Sequence, residues 1–201
     1  MSDRPLRVIG LTGGIATGKS TVSNYLANEY HLPIFDADIY AREAVEPGSA
    51  VLERIVDRYG PEILLADGTL NRRHLGEVVF NNSHERQWLE QQIHPYVRDR
   101  LESALNCPTA PVVALAIPLL FEAQMTDLVT EIWVVYCSPD RQLERLIARD
   151  RLSLEQARSR IDSQMPITDK CERADVVLDN SSTPEALWQQ VDLALTTRSI
   201  D

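Results

Sequence analysis

The sequence predicts a three-layer α/β/α fold around a parallel sheet of five strands, and three observations carry that expectation. Short apolar, β-branched runs alternate with stretches of helical periodicity along the chain, the order of repeated βαβ units. Two later runs, Pro111–Ile117 and Glu131–Cys137, are almost continuously apolar, as strands buried on both faces are. A glycine-rich stretch, Gly13-Gly14-Ile15-Ala16-Thr17-Gly18-Lys19-Ser20, stands between the first strand-like run and the first helical pattern. It reads G-x-x-x-x-G-K-[ST], a phosphate-binding loop, in the strand-to-helix context that such a loop requires.

The 201 residues suit one globular unit with room for an inserted subdomain, and 44% apolar residues suffice for a core. No run approaches the roughly 20 apolar residues of a membrane span. Met1-Ser-Asp-Arg-Pro5 lacks an apolar leader region, so neither secretion nor a membrane partner is expected. Cys107, Cys137 and Cys171 are far apart without a C-x-x-C, so no zinc site or disulfide framework is indicated and a cytoplasmic setting is the expectation. A formal charge of −10 argues against a nucleic-acid partner. It leaves room for a phosphate-rich small molecule at a local arginine cluster. Nothing in the chain points to an obligate protein partner.

The first strand is expected over Leu6–Thr12 and the first helix over Thr21–Tyr30, with Val22, Tyr25 and Leu26 facing a core. The glycines let the loop turn and aim its N–H groups at one point, where the helix N-terminus adds positive charge. Lys19, one of only two lysines in the chain, would reach the outer phosphates, and the Ser20 hydroxyl would ligate Mg²⁺. Leu32–Asp38 reads as the second strand, ending in Asp36 and Asp38 at the edge where α/β sheets bind ligands. On an extended strand the two carboxylates face the same side, one to take a proton, the other to help hold Mg²⁺ through water. The alternative is a solvated turn in which Asp38 caps a helix starting at Ile39.

Residues 39–107 are mainly helical in pattern, and we read them as an insertion that covers a substrate. Ser49, Asn71 and Ser83 are the expected N-caps, Pro47-Gly48 and Gly60-Pro61 the breaks, and Asp67-Gly68 a turn. His94-Pro95 offers a kink or a restart. Arg42, His94 and Arg98 are the polar candidates here; extra core packing without ligand contact is the competing reading.

Pro118-Leu-Leu-Phe-Glu122 carries the third strand into a loop, with Glu122 near the ligand edge. After the fourth strand, Ser138-Pro139-Asp140 opens a helix on which Arg141, Arg145 and Arg149 recur every four residues. Ser153-Leu-Glu-Gln156 is a capping box for the next helix, which bears Arg158 and Arg160. Arginine donors suit a transferring phosphoryl group, so Arg145 and Arg149 are assigned to a lid; Glu144, Asp150 and Glu155 are the competing salt-bridge partners. Ala174–Asp179 is the last strand, and Thr183 caps a final helix docking Ala186, Leu187, Val191, Leu193 and Leu195.

A phosphate loop, a carboxylate pair and late arginines are the parts needed to move a γ-phosphoryl group to a hydroxyl. The chain has no Asn-Lys-x-Asp guanine-reading motif. Its motifs resemble those of dephospho-CoA kinases, of the P-loop kinase superfamily. The resemblance runs through Leu11–Ser20, Asp36-Ala-Asp-Ile-Tyr-Ala-Arg42, Val45-Glu-Pro-Gly48, Asp67-Gly-Thr-Leu-Asn-Arg72, Ile93-His-Pro95, Pro118–Glu122, Gln142-Leu-Glu-Arg145 and Ala174–Asn180, nearly the whole chain. It implies a P-loop kinase core (about 1–38, 109–138 and 168–201), a helical CoA-substrate subdomain (about 39–108) and a helical lid (about 139–167). It implies ATP-dependent phosphorylation of the dephospho-CoA ribose 3′-hydroxyl, the last step of CoA biosynthesis. Gly13 to Thr21 (Gly13, Gly14, Ile15, Ala16, Thr17, Gly18, Lys19, Ser20, Thr21) would hold the ATP phosphates and Asn180 would lie by the adenine. Asp38 would be the base with Asp36 supporting it or the metal, and Arg145 would clamp the phosphoryl with Arg149 as second lid arginine. Arg42, His94 and the region of Leu119 would face the acceptor. The family usually has Gly and Ser where this chain has Ala16 and Thr17, and Ala16 requires only a negative φ; it often has Gly where this chain has Ser182. Two other readings are a kinase for a different small molecule or nucleotide, and an NTP-binding regulatory module.

Overall fold

Five strands form one parallel sheet in the order β2-β3-β1-β4-β5: β1 (Arg7–Gly13), β2 (Ile34–Asp36), β3 (Val112–Ala116), β4 (Glu131–Tyr136) and β5 (Val176–Asp179). The computed structural model describes residues 6–80 and 82–197; the reading of Met1–Pro5 lies outside them. The helices in chain order are α1 (Lys19–Tyr30), α2 (Ala37–Glu43), α3 (Ala50–Tyr59), α4 (Arg72–Phe80), α5 (Ser83–Asn106), α6 (Pro139–Asp150), α7 (Leu154–Asp162), α8 (Ile167–Glu172) and α9 (Pro184–Thr197). The chain divides into two units, one holding residues up to Asp36 and from Cys107 onward, the other Ala37–Asn106. No helix among the described residues is long and apolar enough to cross a membrane.

In the sheet-containing unit, Ile9, Leu11, Trp133, Val135 and Leu178 are buried together with Val22 and Leu26 of α1 and Leu187, Val191 and Leu195 of α9. Each such side chain contributes roughly 1.5–3 kcal/mol on leaving water. Tyr25 stacks on Trp188 with ring centroids 4.1 Å apart, and its hydroxyl donates to Asp192 at 2.9 Å. Burial and that acceptor push the phenol up to about 12. The Arg7 guanidinium pairs with Glu131 and donates to the Leu195 and Ala194 carbonyls at 3.0 and 3.3 Å, tying β1 to the last turns of α9. Leu193, expected to dock, is 66% exposed, because it falls on the outer face between Val191 and Leu195.

The helical unit packs α2 to α5 around Ala44, Val45, Val51, Leu52, Ile55, Ile63, Leu70 and Leu75. Ser49 accepts the Leu52 N–H at 3.1 Å and Asn71 accepts the His74 N–H at 3.1 Å, the caps expected for α3 and α4. The cap of α5 is Asn82 rather than Ser83: its side-chain oxygen accepts from His84 and Glu85 at 3.1 and 3.3 Å, and Ser83 is already helical. The same helix runs through Pro95 without a break, with Val97 and Leu101 buried beyond it. Proline removes one ladder bond there, and the tertiary packing on either side offsets the loss.

Near the ligand edge a further expectation changes, and a helix is added later in the chain. The strand β2 stops at Asp36 and α2 begins at Ala37, so Asp38 stands in the first turn of a helix. Strand alternation therefore does not put Asp36 and Asp38 on one face; an acid in a helix's first turn is favoured by the helix dipole. The helix α8 is new, being only six residues after Pro166 and too short to show a period.

Candidate active site

The phosphate loop leaves β1 at Gly13 and enters α1 at Lys19. A Cβ on Gly13 would sit 2.6 Å from the Val135 carbonyl oxygen, and one on Gly14 would sit 2.6 Å from the Gln142 amide nitrogen. Gly18, the N-cap of α1, has φ +104, a region that glycine enters without steric cost. Ala16 has φ +61, contrary to the negative value expected of it. The loop turns through the left-handed region at this residue, so the side chain does not exempt the backbone from a conformation usually left to glycine. Ser182 is not among the described non-glycine residues with positive φ, so the backbone there does not call for glycine.

Side chains from distant elements fix this shape. Thr17 Oγ1 donates to the Gly14 carbonyl at 2.9 Å. Gln142 of α6 donates to the Ile15 carbonyl at 2.8 Å, and Gln164, just past α7, accepts the Ile15 N–H at 2.8 Å. The buried Asn180 donates its amide to the Thr17 carbonyl at 2.8 Å, and its own carbonyl accepts from Arg145 at 3.1 Å. Asn180, expected beside an adenine, thus braces the loop from the end of β5. Among the described residues the N–H groups of Ala16, Gly18, Lys19 and Ser20 find no backbone or side-chain acceptor. They are orphan donors at the start of a twelve-residue helix, the arrangement that binds phosphate. Lys19 is partly exposed, and Ser20 and Thr21 are exposed.

Along the same sheet edge, Asp36 pairs in register with Ala116 of β3, which in turn pairs with Leu11 of β1. Asp36 thus lies two strand spacings, about 10 Å, from the strand that feeds the loop. The Pro118 carbonyl, where β3 has ended, accepts from Thr12 Oγ1 at 3.0 Å and from Lys170 Nζ at 3.1 Å. Leu119 follows it in the turn and is half-buried. Glu122 takes Lys170 Nζ at 2.9 Å and the Met165 N–H at 3.0 Å on one oxygen, while its buried Oε2 has no hydrogen-bond partner.

The late arginines divide. Arg145 is partly buried against Asn180, within reach of the loop's brace. Arg149 is exposed and forms a two-point pair with Asp150 at 2.7 and 3.1 Å; Arg160 shares that carboxylate at 2.9 Å. The two guanidinium groups hold Asp150 below the usual carboxylate range. Part of the stripe is therefore engaged in the ion pairing weighed against a lid role.

In the helical unit, Asp38 and Arg42 are exposed on α2, and the Arg42 carbonyl accepts from Arg72 at 3.3 Å. His94 is half-buried on α5; burial pushes it below its ordinary value, against a smaller pull from Glu90. That shift favours the neutral imidazole, one nitrogen donating and the other accepting. The exposed Ser20 hydroxyl and the Asp36 carboxylate are hard oxygen donors of the kind Mg²⁺ accepts. Among the described residues no three acidic, histidine or cysteine side chains cluster as a metal cage. Mg²⁺ at nucleotide sites is typically held by one or two protein oxygens together with phosphate oxygens and water.

Gln142, Gln164 and Lys170 were given no role from sequence. A two-lysine composition flagged Lys170 as much as Lys19. Nothing local distinguishes the two glutamines from surface residues.

The family described as dephospho-CoA kinase matches residues 7–185. A dephospho-CoA kinase of Trichormus variabilis is 63% identical over 189 residues, 94% of this chain and 96% of that protein. A crystal structure from Thermus thermophilus superposes with a TM-score of 0.82 at 33% identity, covering 98% of this chain and 100% of the other. A dephospho-CoA kinase from Campylobacter jejuni gives a TM-score of 0.70 at 29% identity, covering 96% of each chain.

Proposed function

The chain belongs to the dephospho-CoA kinase family, and from that premise we propose that it transfers the γ-phosphoryl group of ATP to the ribose 3′-hydroxyl of dephospho-CoA, giving CoA and ADP. The observation that carries the chemistry is the set of unspent N–H donors at Ala16, Gly18, Lys19 and Ser20, set at the N-terminus of a helix whose first residue is Lys19. The acceptor comes from the family.

In this reading Gly13 to Thr21 hold the ATP phosphates and the Lys19 ammonium meets charge that develops on the transferring group. The acceptor's hydroxyl oxygen bonds to the γ-phosphorus as the bond to the β,γ-bridging oxygen breaks. The hydroxyl proton passes to Asp38, with Asp36 supporting that carboxylate or the metal. The Ser20 hydroxyl would hold Mg²⁺, which when bound would supply neutralisation of the phosphate charge. Arg145 is assigned to the phosphoryl oxygens and Arg149 to lid closure, which requires Arg149 to leave Asp150. Arg42, His94 and Leu119 are assigned to the acceptor, and Asn180 to the adenine side of the loop. The free state of Cys107, Cys137 and Cys171 supports a reducing, cytoplasmic setting.

The test is ADP release with Mg²⁺-ATP against dephospho-CoA, adenosine, AMP, CMP, shikimate and no acceptor. Turnover with dephospho-CoA alone, with CoA identified by mass, is the expected result. Turnover confined to another acceptor keeps the phosphoryl chemistry and removes the substrate. ATP binding without turnover on any of them moves the reading to a nucleotide-binding regulatory module.

A further inference from the structure

Resting on the kinase reading and deepening it, we propose that Gln142 and Gln164 are positioning residues that hold the phosphate loop in its binding shape by gripping Ile15 from two sides. The loop contains a conformation it does not hold by itself. Ala16 sits at φ +61, where an L side chain crowds its own backbone. Such residues persist only where their surroundings over-determine them. Both peptide groups of Ile15, the residue before Ala16, are so determined. The Ile15 carbonyl accepts from Gln142 Nε2 at 2.8 Å and the Ile15 N–H donates to Gln164 Oε1 at 2.8 Å.

The two amides come from different places in the chain. Gln142 lies on α6 and is 3% exposed; Gln164 follows α7 and is half-buried. Neither spends a donor that faces the anion, since the N–H groups of Ala16, Gly18, Lys19 and Ser20 stay unengaged. The grip therefore acts on nucleotide through the loop, not by touching it. It is also anchored: the residue after Gln164 donates its N–H to Glu122 at 3.0 Å. A glycine in place of Ala16 would hold the same φ without strain and would need the grip less. The alanine and the two glutamines are thus one device.

The prediction is a coupling between positions 164 and 16 in the full-length protein. Gln164→Ala weakens Mg²⁺-ATP binding, measured by calorimetry, by roughly tenfold, about 1.4 kcal/mol. The KM for dephospho-CoA stays near its original value. In an Ala16→Gly background the same substitution weakens ATP by less than about threefold, a non-additivity that a double-mutant cycle reads directly. Gln164 is half-buried, so its variant is the one to make first; Gln142→Ala is the second arm, with the same expected loss. Equal losses in both backgrounds overturn the proposal. So does a lowered thermal midpoint with ATP affinity unchanged, the signature of a merely structural contact. Coupling on ATP in a protein that shows no turnover with dephospho-CoA upholds the grip and sinks the acceptor assignment, so the two failures are separate.

Discussion

Lys170 Nζ lies 2.9 Å from Glu122 Oε1 and 3.1 Å from the Pro118 carbonyl, with the lysine side chain wholly buried. The chain has one other lysine, in the phosphate loop. Lys170 ties α8 to the stretch that follows β3, and through Glu122 to Met165 behind α7. Removing one member of a buried pair leaves the other charge without compensation, which costs about 3–5 kcal/mol. Glu122 is 24% exposed, so we expect Lys170→Met to cost the lower end, about 3 kcal/mol, in urea unfolding. Glu122→Gln in the same protein should return part of that loss. A change under about 1 kcal/mol for Lys170→Met would mean that water already screens the pair.

The two lysines should separate cleanly. Among the described residues Lys19 forms no salt bridge, and its backbone starts α1. Lys19→Ala is expected to leave the thermal midpoint close to that of the unmodified protein. Phosphoryl transfer should fall by about two orders of magnitude or more, since a preorganised charge at the transferring group is worth about 3 kcal/mol. Stopped or steady-state ADP release alongside a melting curve reads both. Near-normal turnover in this variant would remove Lys19 from the mechanism.

Sheet, loop and most helix starts were legible because their signals are local. Apolar strands, the Gly13–Ser20 spacing and the Ser153 capping box each fit within a few residues, and the cap at Ser153 has both of its bonds. What escaped depends on partners far along the chain. Asn180 and Thr17 are 163 positions apart, and Gln164 and Ile15 are 149 apart. The φ of Ala16 also escaped, because a small side chain was read as indifferent to backbone hand, and the loop's closure decided otherwise. Asp38 moved from strand to helix for a simpler reason: a three-residue strand has no room for the alternation assumed of it.

Gly18 is the loop position where substitution should be least tolerated. Its φ of +104 disfavours any side chain, and an added Cβ would fall onto the Asn180 amide nitrogen. Asn180 cannot yield without losing its bond to the Thr17 carbonyl. Backbone strain of about 1–2 kcal/mol and one lost buried hydrogen bond of about 1 kcal/mol together correspond to roughly a hundredfold in ATP affinity. Gly18→Ala should show that loss in calorimetry, while Gly68→Ala should leave ATP binding unchanged. Gly68 also has positive φ, +81, but a Cβ there meets nothing within 4 Å. Equal effects from both would mean that φ strain spreads through the fold and the Asn180 contact is immaterial.

The helical unit carries a pH-dependent element of its own. Arg58 donates to Glu85 at 2.7 and 2.9 Å, Tyr59 donates to the same carboxylate at 2.6 Å, and the Arg58 guanidinium lies 4.5 Å over the Trp88 ring. The Arg58 bonds, then the Tyr59 bond, pull the Glu85 carboxyl from 4.5 down to about 2. A carboxylate lowered in the folded state stabilises it above the unfolded value, and that contribution disappears as pH falls from 4.5 toward about 2. Glu85→Gln cannot make this linkage. Its thermal midpoint should lie below that of the parent protein at pH 7, and the gap should narrow through that acid window and close near its lower end. Glu85 is the only ionisable group altered, so the narrowing reads its protonation directly. A gap that stays constant down to pH 2 would assign the cost of the substitution to packing around Tyr59 and Trp88, which meet edge to face at 5.6 Å, and not to charge.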